Sequence, residues 1–160
     1  MKKLVIGLII GLVVGFLICG VVVWKTMPKM MLTVKKSNYD FEETFSRIEN
    51  SIIDHDWDIQ RIYDMQECME SYGYENIKNI SIFSLCKPEN VAVILADDKN
   101  KKVTAIMPCR IGVYETSNGE VYVSRMNIAL MSKMFGGVIE EVMSGVAKEE
   151  ADILKGIIEE

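Results

Sequence analysis

The chain of 160 residues carries 18 basic and 23 acidic side chains, and beyond Lys2 and Lys3 the balance is 16 against 23, a net charge of −7. An acidic domain has no surface for the phosphates of nucleic acid, and anionic lipid headgroups repel it. Its four cysteines, Cys19, Cys68, Cys86 and Cys109, form no C-x-x-C pair and its only histidine is His55, which argues against a zinc ribbon, a disulfide scaffold and an ordinary His/Cys zinc site.

Leu4 to Trp24 is twenty-one residues without a charge, opened by Lys2-Lys3 and closed by Lys25. A helix of about 20 apolar residues spans the hydrocarbon core of a bilayer, so residues 1–25 are predicted to be a single transmembrane anchor. The rival reading is a cleaved secretory signal, whose apolar region runs about 7–15 residues and ends in small residues. This run is longer and leaves through Val21-Val22-Val23-Trp24. A lipoprotein signal needs a small residue before Cys19, and Ile18 stands there. Trp24 belongs at the interface, where aromatic rings gather.

Orientation is pulled both ways. Lys25, Lys29, Lys35 and Lys36 outnumber Lys2 and Lys3, which favours a cytoplasmic domain. Met-Lys-Lys directly ahead of the apolar run has the layout of a signal-anchor, which places the domain outside the cytoplasm, and that is the expectation. Gly7, Gly11 and Gly15 recur at i+4 with Cys19 extending their face. Small residues at this spacing let two helices approach closely, so a homodimer paired through the anchor is expected.

Residues 26–31 read as a linker, with Pro28 stopping simple continuation of the helix. The remainder, 32–160, is long enough for one domain with a core. Met31 to Lys35 alternates as a strand. Asp40-Phe-Glu-Glu43 is a capping-box variant opening a helix with Phe41, Phe45, Ile48 and Ile52 on one stripe. Trp57 to Tyr63 reads as a strand that slips phase near Arg61. Gln66 to Ser71 is a short helix ended near Gly73, and Asn79 to Cys86 is a buried strand. Pro88 fits the first turn of a helix whose apolar side is Val91, Ile94 and Leu95.

Asp97 to Lys102 reads as a charged turn. Lys102 to Glu115 and Glu120 to Met126 then read as a hairpin. A three-residue loop, Ser117-Asn118-Gly119, sets Val113 opposite Val123 and Glu115 opposite Val121, placing Ile111, Val113, Val121 and Val123 on one face. Asn127 caps a final long helix carrying Ile139, Val142, Met143, Val146, Ile153, Leu154 and Ile157, kinked or closely approached at Gly136-Gly137. The order predicts an α+β fold: an N-terminal transmembrane helix, then a mostly antiparallel sheet packed against helices, with a long C-terminal helix.

Ser84-Leu-Cys-Lys-Pro88, Met107-Pro-Cys-Arg-Ile111, Val123-Ser-Arg-Met-Asn127 and Leu130-Met-Ser-Lys-Met-Phe-Gly-Gly137 resemble the domain-of-unknown-function 302 family, and its membrane-anchored or exported members in particular. The resemblance spans roughly Met30 to Leu154. It implies a curved antiparallel sheet gripped by a long C-terminal helix, often paired as a dimer. It implies no activity and no cofactor.

Cys86 and Cys109 lie in those motifs, each beside a proline. Arg110 follows Cys109, and a nearby cation lowers a thiol pKa. Two small buried hydrophobes are the plain account of these cysteines, and a redox pair or a soft-metal site is the functional one. Met107, Met126, Met131 and Met134 cluster around Cys109, and thioether with thiolate ligands select Cu(I), so Cys86, Cys109 and Met126 are the candidate metal ligands. Met at helical spacing is more commonly core. Arg125, Asn127 and Lys133 are candidates for an anion site at the last helix's start. Asp54/Asp56 and Asp97/Asp98 read as solvated turn carboxylates.

The function expected is a membrane-tethered, non-enzymatic binding or interaction domain, taking a soft metal or small molecule under the C-terminal helix. Cys86, Cys109, Arg110, Met126 and Asn127 are its candidate site. The alternatives are a thiol-redox protein acting through Cys86 and Cys109, and a structural accessory subunit of a membrane complex.

Overall fold

Helix α1 (Lys2–Met31) runs unbroken through Pro28, where a linker was expected. Proline removes one helical hydrogen bond and costs about 3 kcal/mol in a helix interior. Tertiary bonds hold the last turn helical all the same: Asn127 donates its backbone N–H to Met31 O at 2.8 Å and its Nδ2 to Met30 O at 3.0 Å. The computed structural model describes residues 2–159; Met1, Glu160 and the side chains of residues 2–6, 8 and 10 lie outside the description, the flanking charges of Lys2 and Lys3 among them. Among the described residues one stretch, Gly11–Met31, is long and apolar enough to cross a membrane, at 21 residues with none of it buried.

Strand β1 (Leu32–Lys36) follows α1 with no residue between. Then come α2 (Phe41–Asp54), β2 (Asp58–Asp64), α3 (Met65–Ser71), β3 (Ile80–Cys86) and α4 (Pro88–Leu95). A 3-10 helix (Asp98–Ile106), β4 (Cys109–Glu115), β5 (Val121–Met126), α5 (Ile128–Lys133) and α6 (Gly137–Ile153) complete the chain. The strands form one open sheet in the order β1-β5-β4-β3-β2. Every pairing is antiparallel.

Several local expectations hold. Asp40 accepts from Glu43 N at 2.9 Å, capping α2. The reciprocal half of the box is replaced, because Glu43 turns its carboxylate to Arg47 at 2.7 Å. The β2–β3 register shifts between Ile59 and Arg61, a bulge at the phase slip. Val113 pairs with Val123 and Glu115 with Val121, so the three-residue loop is correct, with Gly119 at φ 79°. Ile111, Val113, Val121 and Val123 are all buried.

Two further expectations fail. The arm assigned from Lys102 begins only at Cys109, because Asp97 caps the 3-10 helix by accepting from Lys99 N at 3.0 Å. The final helix is two helices. Asn127 caps only the six-residue α5, and Gly136 and Gly137 at φ 67° and 57° break the chain before α6. Nothing approaches within 4 Å of a Cβ built at either glycine, so backbone conformation and not close packing requires them.

The core lies between one face of the sheet and helices α2 and α6. Ile48 and Ile52 from α2, Val146 and Ile153 from α6, and Phe83, Leu85, Ile111 and Val113 from the sheet meet there. The opposite face carries Tyr114 and Tyr122, stacked with ring centroids 5.7 Å apart. After α6 the chain turns at Gly156 (φ 77°) and Ile158 bridges to Ser37, returning the C-terminal segment to the end of β1.

Candidate functional site

A cavity of about 350 Å³ lies at one end of the sheet. Leu85, Cys86, Cys109, Arg110 and Met126 line it from the strand ends. Val91, Ile94 and Leu95 of α4, with Val103 and Ile106 of the 3-10 helix, form a second wall. Ile128, Met131 and Phe135 come from the α5 region, and Ile139, Met143 and Val146 from α6. The volume falls within the range of about 300–1,000 Å³ typical of small-ligand sites. The walls are largely aliphatic, sulfur-bearing or aromatic, with a few polar groups: Gln60, Lys87, Asn90, Thr104, Arg110 and Ser132.

The polar edge is organised by Glu149 of α6. Its Oε2 accepts from Lys87 Nζ at 2.6 Å and from Trp57 Nε1 at 2.8 Å. Burial pushes the Glu149 carboxyl up, but the bonds from Lys87 and Trp57 outweigh it and hold it below the usual carboxylate range. The Lys87 ammonium is raised in turn, chiefly by its bond to Glu149. Deeper in the core, Arg125 Nη1 meets Glu150 Oε2 at 2.8 Å.

A family profile described as "Domain of unknown function DUF302" matches residues 32–160. The chain belongs to this family. Its fold is similar to a crystal structure described as that of an uncharacterized conserved DUF302 protein from Bacillus stearothermophilus, at 21% identity with a TM-score of 0.68, over 78% of this chain and 96% of that one. No curated protein matches the chain.

In this DUF302 domain, the strands bring together most of the residues singled out from the sequence. Cys109 pairs with Leu85 across β3 and β4, and Cys86 follows Leu85 at the end of β3. Cys86, Cys109, Arg110 and Met126 all line the cavity. Asn127 does not; it is spent capping α5 and holding α1. Met107 and Met131 also line the cavity, whereas Met134 is 64% exposed.

The thiols behave opposite to the expectation from Arg110. Burial, with Glu150 and Cys86 adding to it, pushes the Cys109 thiol up to about 12. Burial, with Asp58 and Glu89 nearby, raises the Cys86 thiol as well. Arg110 follows Cys109 in sequence but its side chain is exposed to water, so it does not offset the burial. Both cysteines are free. Among the described residues, no three His, Cys, Asp or Glu side chains are grouped to hold a metal ion.

The suggested anion site does not assemble. Arg125 points into the core toward Glu150, and Lys133 is exposed. Asp97 serves as a cap, and His55 closes α2 with Nδ1 2.7 Å from Ser51 O. Gly7, Gly11 and Gly15 lie along α1, and a Cβ built at any of them meets nothing beyond its own helix backbone within 4 Å among the described residues.

Sequence reasoning missed Trp57, Lys87 and Glu149. Lys87 stands inside a quoted motif, but its partner is 62 residues away in α6. No local pattern joins the two.

Proposed function

We propose that the chain is a membrane-tethered binding domain whose cavity under α6 takes a small apolar molecule. The observation that carries it is the cavity: about 350 Å³, walled by aliphatic and sulfur-bearing side chains, with Lys87, Asn90 and Arg110 among its few polar groups. Such a site holds an apolar body by burial and orients it by a few polar groups. A soft metal on Cys86, Cys109 and Met126 needs thiolate, and burial opposes that form at both cysteines. The uncharged guest therefore fits better than the metal or a reactive thiol pair. The retained anchor, an extracytoplasmic domain and pairing through Gly7, Gly11 and Gly15 belong to the same proposal.

The test is photolabelling of the full chain in phosphatidylcholine vesicles with a diazirine-bearing decanol, which is uncharged. Labelled peptides are expected to contain Met131, Phe135 or the first half of α6. Val146→Trp, which fills the cavity, is expected to cut that labelling at least fivefold. Labelling confined to α1, or unaffected by Val146→Trp, overturns the proposal.

A further inference from the structure

The strand register places the cavity and the exit of α1 at the same end of the sheet. Leu32 opens β1 and pairs with Met126 at the end of β5. Across the sheet the same end continues through Ile111 with Arg125, Cys109 with Leu85, and Cys86 with Asp58. The strand residues that line the cavity are those at this end.

The candidate span of α1 is Gly11–Met31, but its charge-free run ends at Trp24, with Lys25 and Lys29 following. If it crosses a bilayer, the membrane surface lies between Trp24 and Met31, about 10 Å of helix, and Asn127 is hydrogen-bonded to the last turn. From Asn127, α5 leads to Met134 and Phe135, 64% and 37% exposed, and past the glycine break to Val138, 43% exposed. Phe135 also lines the cavity. Lys102 Nζ lies 6.0 Å from the Phe135 ring centroid, and Lys133 is exposed beside it. Glu140 and Glu141 are the nearest carboxylates along α6.

Exposed apolar side chains grouped at one corner mark a contact surface. A neighbouring bilayer is the occupant the geometry favours, because α5, which leads to the corner, packs against the end of α1 and is tied to it through Asn127. Interfacial elements of this kind settle about 5–10 Å into the headgroup boundary, with basic side chains reaching to its polar edge.

We propose that Met134, Phe135 and Val138 form a second membrane contact, laid on the bilayer that α1 crosses, so that the cavity opens at Phe135 toward lipid. The inference rests on α1 spanning the membrane, and it does not require the cavity to be occupied. It deepens the functional reading by naming the source of the guest: a molecule dissolved in the bilayer, reached without passage through water.

The experiment places the full chain in vesicles of phosphatidylcholine, with and without bromine at the acyl 6,7 positions. Phe135→Trp and Val138→Trp report on the corner. Tyr72→Trp, 73% exposed in wild type and following the opposite end of β2 through α3, is the control. All variants carry Trp57→Phe, so that the remaining native tryptophan, Trp24 at the end of the apolar run, reports on α1.

The added emission of Phe135→Trp and Val138→Trp is expected to be quenched at least twofold by brominated lipid, that of Tyr72→Trp hardly at all, and Trp24 in every variant. Quenching at the corner no greater than at position 72, with Trp24 still quenched, overturns the second contact and leaves the anchor standing. Trp24 unquenched overturns both. Two reporter positions guard against one variant misfolding.

Discussion

Glu150 is almost wholly buried, and its single ion pair to Arg125 leaves Arg125 Nε and Glu150 Oε1 without hydrogen-bond partners. Burial raises the Glu150 carboxyl despite Arg125 beside it. A buried pair of this kind is costly to break and cheap to replace. Glu150→Ala alone strands a buried guanidinium and is expected to cost about 3–5 kcal/mol. Arg125→Met with Glu150→Leu is expected to recover most of that loss. Chemical denaturation followed by near-ultraviolet circular dichroism measures both.

Cys109 gives a residue-scale prediction in pH. Its thiol moves from about 9.0 to about 12 on folding, so between those values the folded state holds a proton that the unfolded state has lost. Stability linked to Cys109 is therefore full below pH 9 and falls as pH rises toward 12. Cys109→Ala removes this dependence. The wild-type curve is expected to fall more steeply than the variant's across that window, by at most about 1.4 kcal/mol per pH unit. Alkylation of the folded chain at pH 8 is expected to modify the exposed Cys68 well before Cys109, as thiol mapping by mass spectrometry will show.

At the scale of elements, two glycines separate α5 from α6 and aim the corner that carries Phe135. Both hold positive φ with open space around them, so an added methyl group acts through the backbone alone. Gly136→Ala and Gly137→Ala are each expected to cost about 1 kcal/mol, read as a lowered denaturation midpoint at unchanged slope. Such local devices divide what the sequence discloses from what it hides. The hairpin register follows from Val113, Val121 and Val123 needing one buried face, and the bulge near Arg61 follows from the broken alternation of Ile59 and Ile62. Both signals are complete within a few residues.

Pro28 is a correct local signal overruled by distant bonds from Asn127. The same distance effect governs the candidate site. Cys86, Cys109 and Met126 were legible because three sulfur residues stand near strand ends, but their chemistry was not. Whether Arg110 or burial sets a thiol's charge depends on the walls that α4, the 3-10 helix and α6 supply. Those walls come from segments whose apolar residues read only as ordinary helix faces.

At the scale of the whole molecule, the decisive feature is the missing linker. Met31 ends α1 and Leu32 begins β1, so the domain's orientation relative to α1 is set by a continuous backbone and two bonds from Asn127. Three partly exposed apolar side chains at the corner contribute together on the order of 3 kcal/mol on burial in lipid. That is too little to hold a free domain on a bilayer. It is enough to bias a domain already held there. Rigid attachment and the apolar corner therefore work only together.

Inserting eight Gly/Ser residues between Met31 and Leu32 separates them, because such a linker spans about 16 Å on average and leaves the domain free to turn. Bromine quenching of the tryptophan in Phe135→Trp is expected to fall by half or more with the insertion, while Trp24 stays quenched and the domain's denaturation midpoint is unchanged. If quenching at position 135 survives in full, the corner holds lipid by its own affinity and the continuous α1–β1 junction contributes nothing to where the cavity faces.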